Sequence, residues 1–159
     1  MKLSTSNGLA AGSIDVTAVA CTPPKIVDAS VEHAVIIIKN GNIYHCNGDV
    51  HGIPKVYFDN MASELEGAHI THNHPIGADE NEHTFSDDDI KLFKRFNLAR
   101  LRGIDGKFLF ELNRNETNNE LAGYDLHELY GLGINFEDYH VAVMLKALME
   151  GFGYWRQPR

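Results

Sequence analysis

The feature that most constrains the fold of this chain is an apolar, β-branched run followed closely by a turn. Residues 34–38 read Ala-Val-Ile-Ile-Ile, and Asn40-Gly41 follows after one residue. A short β-branched run of this kind is typical of a strand buried on both faces. Asn-Gly is the strongest short signal for a hairpin turn. We therefore predict a strand over 34–38 and a return strand over 42–46.

The rest of the chain alternates between strand patterns and helix patterns. Further strands are predicted over 14–20, 55–58, 68–71, 101–104 and 107–112, the last two around the turn dipeptide Asp105-Gly106. Helices are predicted over 59–66, 119–130 and 136–150, and after Ser86, where Ile90, Phe93 and Phe96 share one face. Strands interleaved with helices indicate an α/β or α+β domain, with a mixed β-sheet flanked by helices.

Length and charge restrict the possible partners. At about 150 residues per domain, the 159 residues suit one domain, or one domain with an appendage. Fourteen Lys and Arg against 22 Asp and Glu give a net charge of −8. So acidic a chain is a poor candidate for a nucleic-acid binder, which needs a basic face against phosphates, and a membrane-surface helix is disfavoured for the same reason. The longest apolar runs are too short to span a bilayer. We expect neither nucleic acid nor a membrane as partner.

The cysteines indicate a compartment but no metal site. Cys21 and Cys46 are the only two, and neither belongs to a C-x-x-C pair. Two isolated thiols suit a reducing environment, so we expect a cytoplasmic protein. Ala-Val-Ala before Cys21 gives a faint likeness to a lipoprotein signal, but Asp15 interrupts the apolar stretch that such a signal needs.

One constellation carries chemistry. His72 and His74 lie two residues apart at the end of a predicted strand, so both side chains project to one side. Pro75 then turns the chain, and Asp89 follows near the start of a predicted helix. Two imidazoles and one carboxylate are suitable ligands for catalytic zinc, with a fourth position left for water. Zinc lowers the pKa of such a water toward neutrality.

Simpler interpretations exist for each piece alone. An isolated H-x-H is weak evidence for a metal site. Ser86-x-x-Asp89 also fits a capping box, in which the two residues exchange side-chain and backbone hydrogen bonds. The acidic run over 79–89 also fits a solvated loop that leads into a helix. The order of the pieces favours the metal site, because HNHP, a polar loop and FSxxD are more specific together than separately.

In this order the chain resembles the JAMM/MPN metallopeptidases, also called JAB domains. Their pattern is a Glu before an early strand, then H-x-H-P, then S-x-x-D. Here Glu32 precedes the 34–38 run, and the two motifs read His72-Asn73-His74-Pro75 and Ser86-Asp87-Asp88-Asp89. The spelling is closest to the RadC-like branch, with a looser likeness to JAB-like domains of phage head-morphogenesis proteins and polymorphic toxins.

The resemblance implies a domain division and a fold. It covers roughly residues 31–112. We therefore predict an N-terminal extension over 1–30, a JAB/MPN-like metal-binding core over 31–115, and a C-terminal helical extension over 116–159 that packs on the core. The implied fold is cytidine-deaminase-like.

The resemblance also implies a role for each motif residue. His72, His74 and Asp89 would bind Zn²⁺. Glu32 would accept a proton from the attacking water and pass it to the leaving amine, as one positioned carboxylate can. Ser86 would donate a hydrogen bond to the oxyanion of the tetrahedral intermediate.

The sequence departs from the family pattern in one respect and leaves one assignment with little local support. Fourteen residues separate His74 from Asp89, which is longer than is usual in the family. Extra length in a surface loop costs little. The assignment of Glu32 as the proton acceptor is supported by the family resemblance alone. Glu64 and Glu66, just before the 68–71 strand, are the other candidates for that role.

The leading functional hypothesis is a zinc metallopeptidase that cleaves a peptide or isopeptide bond in a protein or peptide substrate. The alternative is a catalytically inactive binding or assembly module on the same fold. A zinc deaminase is disfavoured because the P-C-x-x-C signature is absent. An HNH nuclease is disfavoured because its motif letters are not contiguous and this chain is acidic. The oligomeric state stays open, although the apolar C-terminal helix and Tyr154-Trp155 would suit an interface.

Overall fold

Six strands of the chain form one mixed sheet. The computed structural model describes residues 29–75, 83–116, 128, 131–133 and 138–159. The strands are β1 His33–Ile37, β2 Ile43–Asn47, β3 His69–Asn73, β4 Arg100–Ile104, β5 Phe108–Asn113 and β6 Gly153–Pro158. The helices of the described residues are α1 Lys55–Asn60, α2 Ala62–Leu65, α3 Asp87–Arg95 and α4 Tyr139–Glu150. The predicted strand over 14–20 and nearly all of the predicted helix over 119–130 lie outside these residues.

The strand order across the sheet is β2-β1-β3-β4-β5-β6. β3 and β4 run parallel, and the other four pairings are antiparallel. The predicted class, a mixed β-sheet with helices, is confirmed. None of the helices among the described residues is long and apolar enough to cross a membrane.

Both predicted hairpins are present. Residues 38–42 separate β1 from β2, but the amide of Ile38 still donates to the carbonyl of Asn42, so the loop itself is 39–41; residues 105–107 form the second loop. In the first, the amide of Gly41 donates to the carbonyl of Ile38, and Gly41 takes a φ of 88°. This is a turn closed by a glycine in the left-handed region, a common three-residue hairpin loop. In the second, one carboxylate oxygen of Asp105 accepts from the amides of Lys107 and Phe108. Local turn chemistry therefore fixes β1 against β2 and β4 against β5.

β1 corrects one expectation. The strand is buried on one face, not on both, because Ile36 is fully buried whereas Ile37 is 44% exposed. The β-branched composition therefore indicates that these residues form a strand, but it does not indicate that both faces of the strand are buried. Their alternating burial follows from the two-residue period of a strand, with every second side chain facing the core.

The predicted strand over 55–58 is wrong, because α1 occupies these residues. Lys-Val-Tyr-Phe resembles a strand in composition, but Val56 is more than half exposed. Burial instead follows Phe58, Met61 and Leu65, whose spacing of three and four residues places them on one side of consecutive helical turns. The helical period therefore overrides the local strand propensity.

The C-terminal region adds a strand that the sequence pattern did not indicate. α4 begins after Asp138, whose side chain accepts from the amide of His140, and it ends at Gly151 in a left-handed conformation. β6 follows and pairs with β5. Tyr154 is fully buried in the core, so it is not an interface residue. The sixth strand of the sheet thus comes from within the predicted 116–159 extension.

Side chains from the sheet and the helices meet in one apolar core. Alternate strand residues, such as Ile36, Ile70 and Leu101, are fully buried in it. At its centre Phe110 lies across from Gly103 in the β4–β5 register. A Cβ atom on Gly103 would lie 2.0 Å from the Phe110 ring, so only glycine fits there.

We predict that Gly103→Ala lowers the free energy of unfolding by about 1–3 kcal/mol, the usual cost of overpacking a core. The fully buried Phe110 ring would have to move to make room. The measurement is a chemical denaturation curve. Gly106→Ala is the matched control, because a Cβ there meets no atom within 4 Å. Equal stability of the two variants would contradict this account of the core.

Candidate metal centre

The end of β3 presents two imidazoles on the core side of the sheet. His72 is the last residue of β3 that faces the core, and it is 3% exposed. His74 lies one residue beyond the strand, and its amide donates to the carbonyl of Ile104 on the parallel strand β4. The Nε2 atoms of His72 and His74 lie 3.0 Å apart. The two-residue strand period thus places both rings together, as the sequence predicts.

The first turn of α3 brings a carboxylate to the imidazoles. Ser86 caps the helix, since its Oγ accepts from the amide of Asp89 at 3.2 Å. Asp89 reaches back, and its Oδ2 accepts from the Ser86 amide at 2.8 Å and from the Ser86 hydroxyl at 2.6 Å. Its other oxygen, Oδ1, lies 3.2 Å from His72 Nε2. The capping box and the metal-site interpretation are therefore compatible, because they mainly use different oxygens of one carboxylate.

The three side chains have the spacing of a metal site. Their ligand atoms all lie within 4.8 Å of one another, and they form the one such group of three among the described residues. His74 Nε2 lies 3.7 Å from Asp89 Oδ2. In tetrahedral zinc, bonds of about 2.0–2.1 Å place ligand atoms roughly 3.3 Å apart. His72 Nε2 lies near that distance from both His74 Nε2 and Asp89 Oδ1, at 3.0 and 3.2 Å, whereas the 3.7 Å contact of His74 is with the capping oxygen Oδ2. The donor set thus fits a divalent cation such as zinc.

Burial and neighbouring charges shift the pKa values of these three side chains in different directions. Burial raises the pKa of the Asp89 carboxyl, but His72, His74 and Ser86 outweigh burial and hold that pKa well below its usual range. Burial, followed by the charge of His72, lowers the pKa of His74 to about 4. Burial also lowers the pKa of His72, but Asp89, followed by Glu32, raises it above the ordinary value. Asp89 is therefore ionised and His74 neutral at neutral pH, whereas His72 holds its proton more tightly than a free imidazole.

These pKa directions predict that metal affinity falls as the medium becomes acidic. A metal must displace the proton of His72, and the raised pKa of His72 makes this competition begin at a higher pH than for a free histidine. His74 adds no second proton until the pH approaches 4. We expect the zinc dissociation constant to rise by about tenfold per pH unit below pH 6.5, measured by competition with a chelator. An unchanged constant between pH 7 and pH 5.5 would contradict this.

Glu32 enters the same site from the neighbouring strand. β1 is antiparallel to β3, with Ala34 opposite His72, and Glu32 lies two residues before Ala34, directly before β1 begins. Burial raises the pKa of the Glu32 carboxyl; the charge of His72 lowers it, and the charges of Asp89 and Asp49 raise it. The strand that follows Glu32 therefore lies beside the strand that carries the histidines.

A cleft of about 710 Å³ joins these side chains. Its walls include the turn over 49–53, the start of α1 and the first turn of α3. All five residues of the predicted site line it, namely Glu32, His72, His74, Ser86 and Asp89. The rivals Glu64 and Glu66 do not line it, and Glu64 instead accepts a hydrogen bond from the Tyr44 hydroxyl.

Phe110 and Gly52 help to shape the site and have no sequence signal of their own, whereas Phe85 belongs to the FSxxD motif. The ring of Phe110 packs edge-on against His74 at 5.2 Å between centroids, and Phe85 lies 6.1 Å from the ring of His72. Gly52, in the turn beside the cleft, has a φ of 138°, and a Cβ atom there would lie 3.3 Å from a carboxylate oxygen of Glu32. Their neighbours in the fold, not their neighbours in the chain, give Phe110 and Gly52 their roles.

His83 lies apart from the metal group, although it precedes Ser86 by only three residues. Its Nδ1 lies 2.9 Å from Asp105 Oδ2, and its Nε2 lies 3.2 Å from Lys107 Nζ. Both ring nitrogens of His83 are therefore engaged elsewhere.

We predict that His72→Ala and Asp89→Asn each remove most bound zinc, because two ligands hold the ion poorly. Asn at position 89 keeps the size of the side chain and an oxygen for the cap, so loss of metal would not follow from loss of the helix. His83→Ala should retain zinc and is the control. The measurement is the zinc content per chain after dialysis. Stoichiometric zinc in the His72 and Asp89 variants would show that the ligand set is wrong.

No protein-family model, no curated protein and no solved structure matches this chain. The likeness to JAMM/MPN enzymes therefore rests on the motif residues. The function must be argued from the chemistry of the site.

Proposed function

We propose that the chain is a JAMM-type zinc metallopeptidase that hydrolyses a peptide or isopeptide bond. The observation that carries the proposal is the convergence of His72, His74 and Asp89 at metal-ligand distances, in one cleft with the carboxylate of Glu32. Three protein ligands leave a position open, which is the arrangement of catalytic zinc sites. When bound, zinc would act as a Lewis acid and lower the pKa of a water molecule toward neutrality.

Glu32 is the general base in this proposal. Its partly buried carboxylate has a raised pKa, and this brings its proton affinity closer to that of a group working near neutral pH. It takes a proton from the attacking water and later gives that proton to the nitrogen of the leaving amine. The amine leaves only when it is protonated, so one carboxylate serves both steps.

Ser86 has two tasks in the proposal. Its hydroxyl donates to Asp89 Oδ2 at 2.6 Å, which orients the carboxylate that binds the metal. The side chain also lines the cleft, so rotation of the hydroxyl would direct its proton to an oxyanion formed there. The cleft volume of about 710 Å³ lies within the usual range of ligand-binding pockets, so the cleft has room for a short stretch of a peptide substrate.

The alternative is an inactive JAB-like binding or assembly module that holds metal for structural reasons. The partly buried Glu32 favours the enzyme, since a structural zinc site does not require an additional carboxylate beside its ligands. Incubation of the zinc-loaded protein with a panel of fluorogenic peptides and isopeptides separates the two. Cleavage supports the peptidase, whereas stoichiometric zinc with no cleavage across the panel supports the binding module.

We predict that Glu32→Gln folds, binds zinc as the parent does, and loses about a hundredfold or more in kcat. Gln keeps the shape of the side chain and its hydrogen bonding but cannot take a proton, and a general base contributes about that factor. Zinc content and turnover are measured on the same preparation.

Glu64→Gln is the control for this experiment. Glu64 lies outside the cleft and contacts the Tyr44 hydroxyl, so its turnover should match that of the parent. A Glu32→Gln variant with parental kcat would remove Glu32 from the mechanism. Loss of zinc in that variant would instead assign Glu32 to the metal ligands.

A further inference from the structure

Asn73 separates the two histidine ligands in the chain and is fully buried. Because it is the residue between them, its side chain leaves β3 on the face opposite to theirs. Its two amide atoms reach the neighbouring strand. Nδ2 donates to the carbonyl of Val31 at 3.0 Å, and Oδ1 accepts from the amide of His33 at 2.7 Å.

The two backbone groups that Asn73 bonds belong to Val31 and His33, which are the residues directly before and after Glu32. The backbone of Glu32 itself bonds in the other direction, since its amide donates to the carbonyl of Asp49 at 2.9 Å and its carbonyl accepts from the amide of Gly48 at 2.8 Å. The short segment that carries the Glu32 carboxylate is thus held from both sides, by the 48–49 backbone and by the side chain of Asn73.

The position of Asn73 explains why a side chain connects the end of β3 to the segment around Glu32. The backbone register of β1 against β3 runs as far as Ala34 opposite His72. The next pair along these strands would be His33 and Asn73, and there the amide of His33 bonds to the side chain of Asn73. The Asn73 side chain continues the connection between β1 and β3 at the point where Glu32 must be placed.

We propose that Asn73 is a positioning residue that holds the Glu32 carboxylate in register with the metal ligands. The inference rests on the proposed function and adds to it a residue that does not contact the substrate. An amide side chain suits the task, since it offers a donor and an acceptor at once, whereas a carboxylate lacks the donor. Because Asn73 lies between His72 and His74, any shift of the ligands also moves the side chain that holds the base. Such coupling matters, since misplacement by about 1 Å can cost roughly a hundredfold in rate.

The test compares Asn73→Ala with Asn113→Ala. Asn113 is a matched control, because it is also a buried asparagine at the end of a strand, and its amide donates to Glu111 Oε1 at 3.2 Å. Each variant is measured for melting temperature, zinc affinity, KM and kcat. Asn73→Asp is a second variant, which keeps the oxygen that accepts from His33 and should be impaired less.

We expect Asn73→Ala to lose roughly ten- to a hundredfold in kcat, with KM and zinc affinity within about threefold of the parent. Asn113→Ala should lose melting temperature but keep its kcat. In a Glu32→Gln background, Asn73→Ala should cause no further loss, because residues that act through one another are not additive. Hydrogen exchange at the His33 amide should accelerate in Asn73→Ala, whether or not the protein is active.

Each contrary result would contradict either the positioning role of Asn73 or the proposed function. Independent, multiplying losses for Asn73→Ala and Glu32→Gln would overturn the positioning role, as would equal kcat losses in Asn73→Ala and Asn113→Ala. If Asn73→Ala does not fold, Asn73→Asp decides the question. Rapid hydrogen exchange at the His33 amide of Asn73→Asp would show that the bond to His33 is lost, and full kcat in the same variant would then overturn the positioning role. A parent protein that binds zinc and cleaves nothing would defeat the proposed function, and unchanged exchange at His33 in Asn73→Ala would then defeat this inference separately.

Discussion

The carboxylate of Asp89 joins helix α3 to strand β3 through its two oxygens. One oxygen closes the capping box with Ser86, and the other lies against His72. Both contacts occur in a largely buried place, where an ionised carboxylate is stable only if its charge and its lone pairs are matched. The helix start therefore depends on the histidine pair for its electrostatic environment, and the histidine pair depends on the cap for the placement of the carboxylate. Local helix chemistry and metal-site chemistry are not separable at this residue.

Sheet topology then decides which further groups can reach Asp89. β3 lies between an antiparallel and a parallel neighbour, so the end that carries His74 adjoins the start of β1 and the end of β4. The start of β1 supplies Glu32 to the cleft. The end of β4 supplies the Ile104 carbonyl that extends the backbone ladder to His74, and Phe110 on β5 packs against the ring of His74. The strand that carries the histidine pair thus receives a carboxylate from the residue before β1 and packing from β4 and β5.

The parts of this arrangement that the sequence predicts are the local ones. The Asn40-Gly41 turn, the cap at Ser86 and the shared side of His72 and His74 each follow from contacts within a few residues. The parts that depend on contacts between distant residues do not follow from the sequence. β6 has little strand pattern of its own and forms by pairing with β5, and α1 replaces a predicted strand because burial selects a helical spacing. Glu32 was assigned from the family pattern, since its approach to His72 depends on strand register, and the hydrogen bonds of Asn73 depend on the same register.

The same contacts hold the side chains of the candidate metal site together. His72 and Asp89 attract each other as a protonated imidazole and a carboxylate, which raises the pKa of the first and lowers that of the second. A divalent cation would replace that proton and face the same two groups, together with His74, whose lowered pKa leaves it neutral. A bound cation would therefore lie among groups that already favour a positive charge. Little reorganisation is needed, and because the ligands come from β3 and α3, the bound ion would reinforce the same connection that the ion pair makes without it.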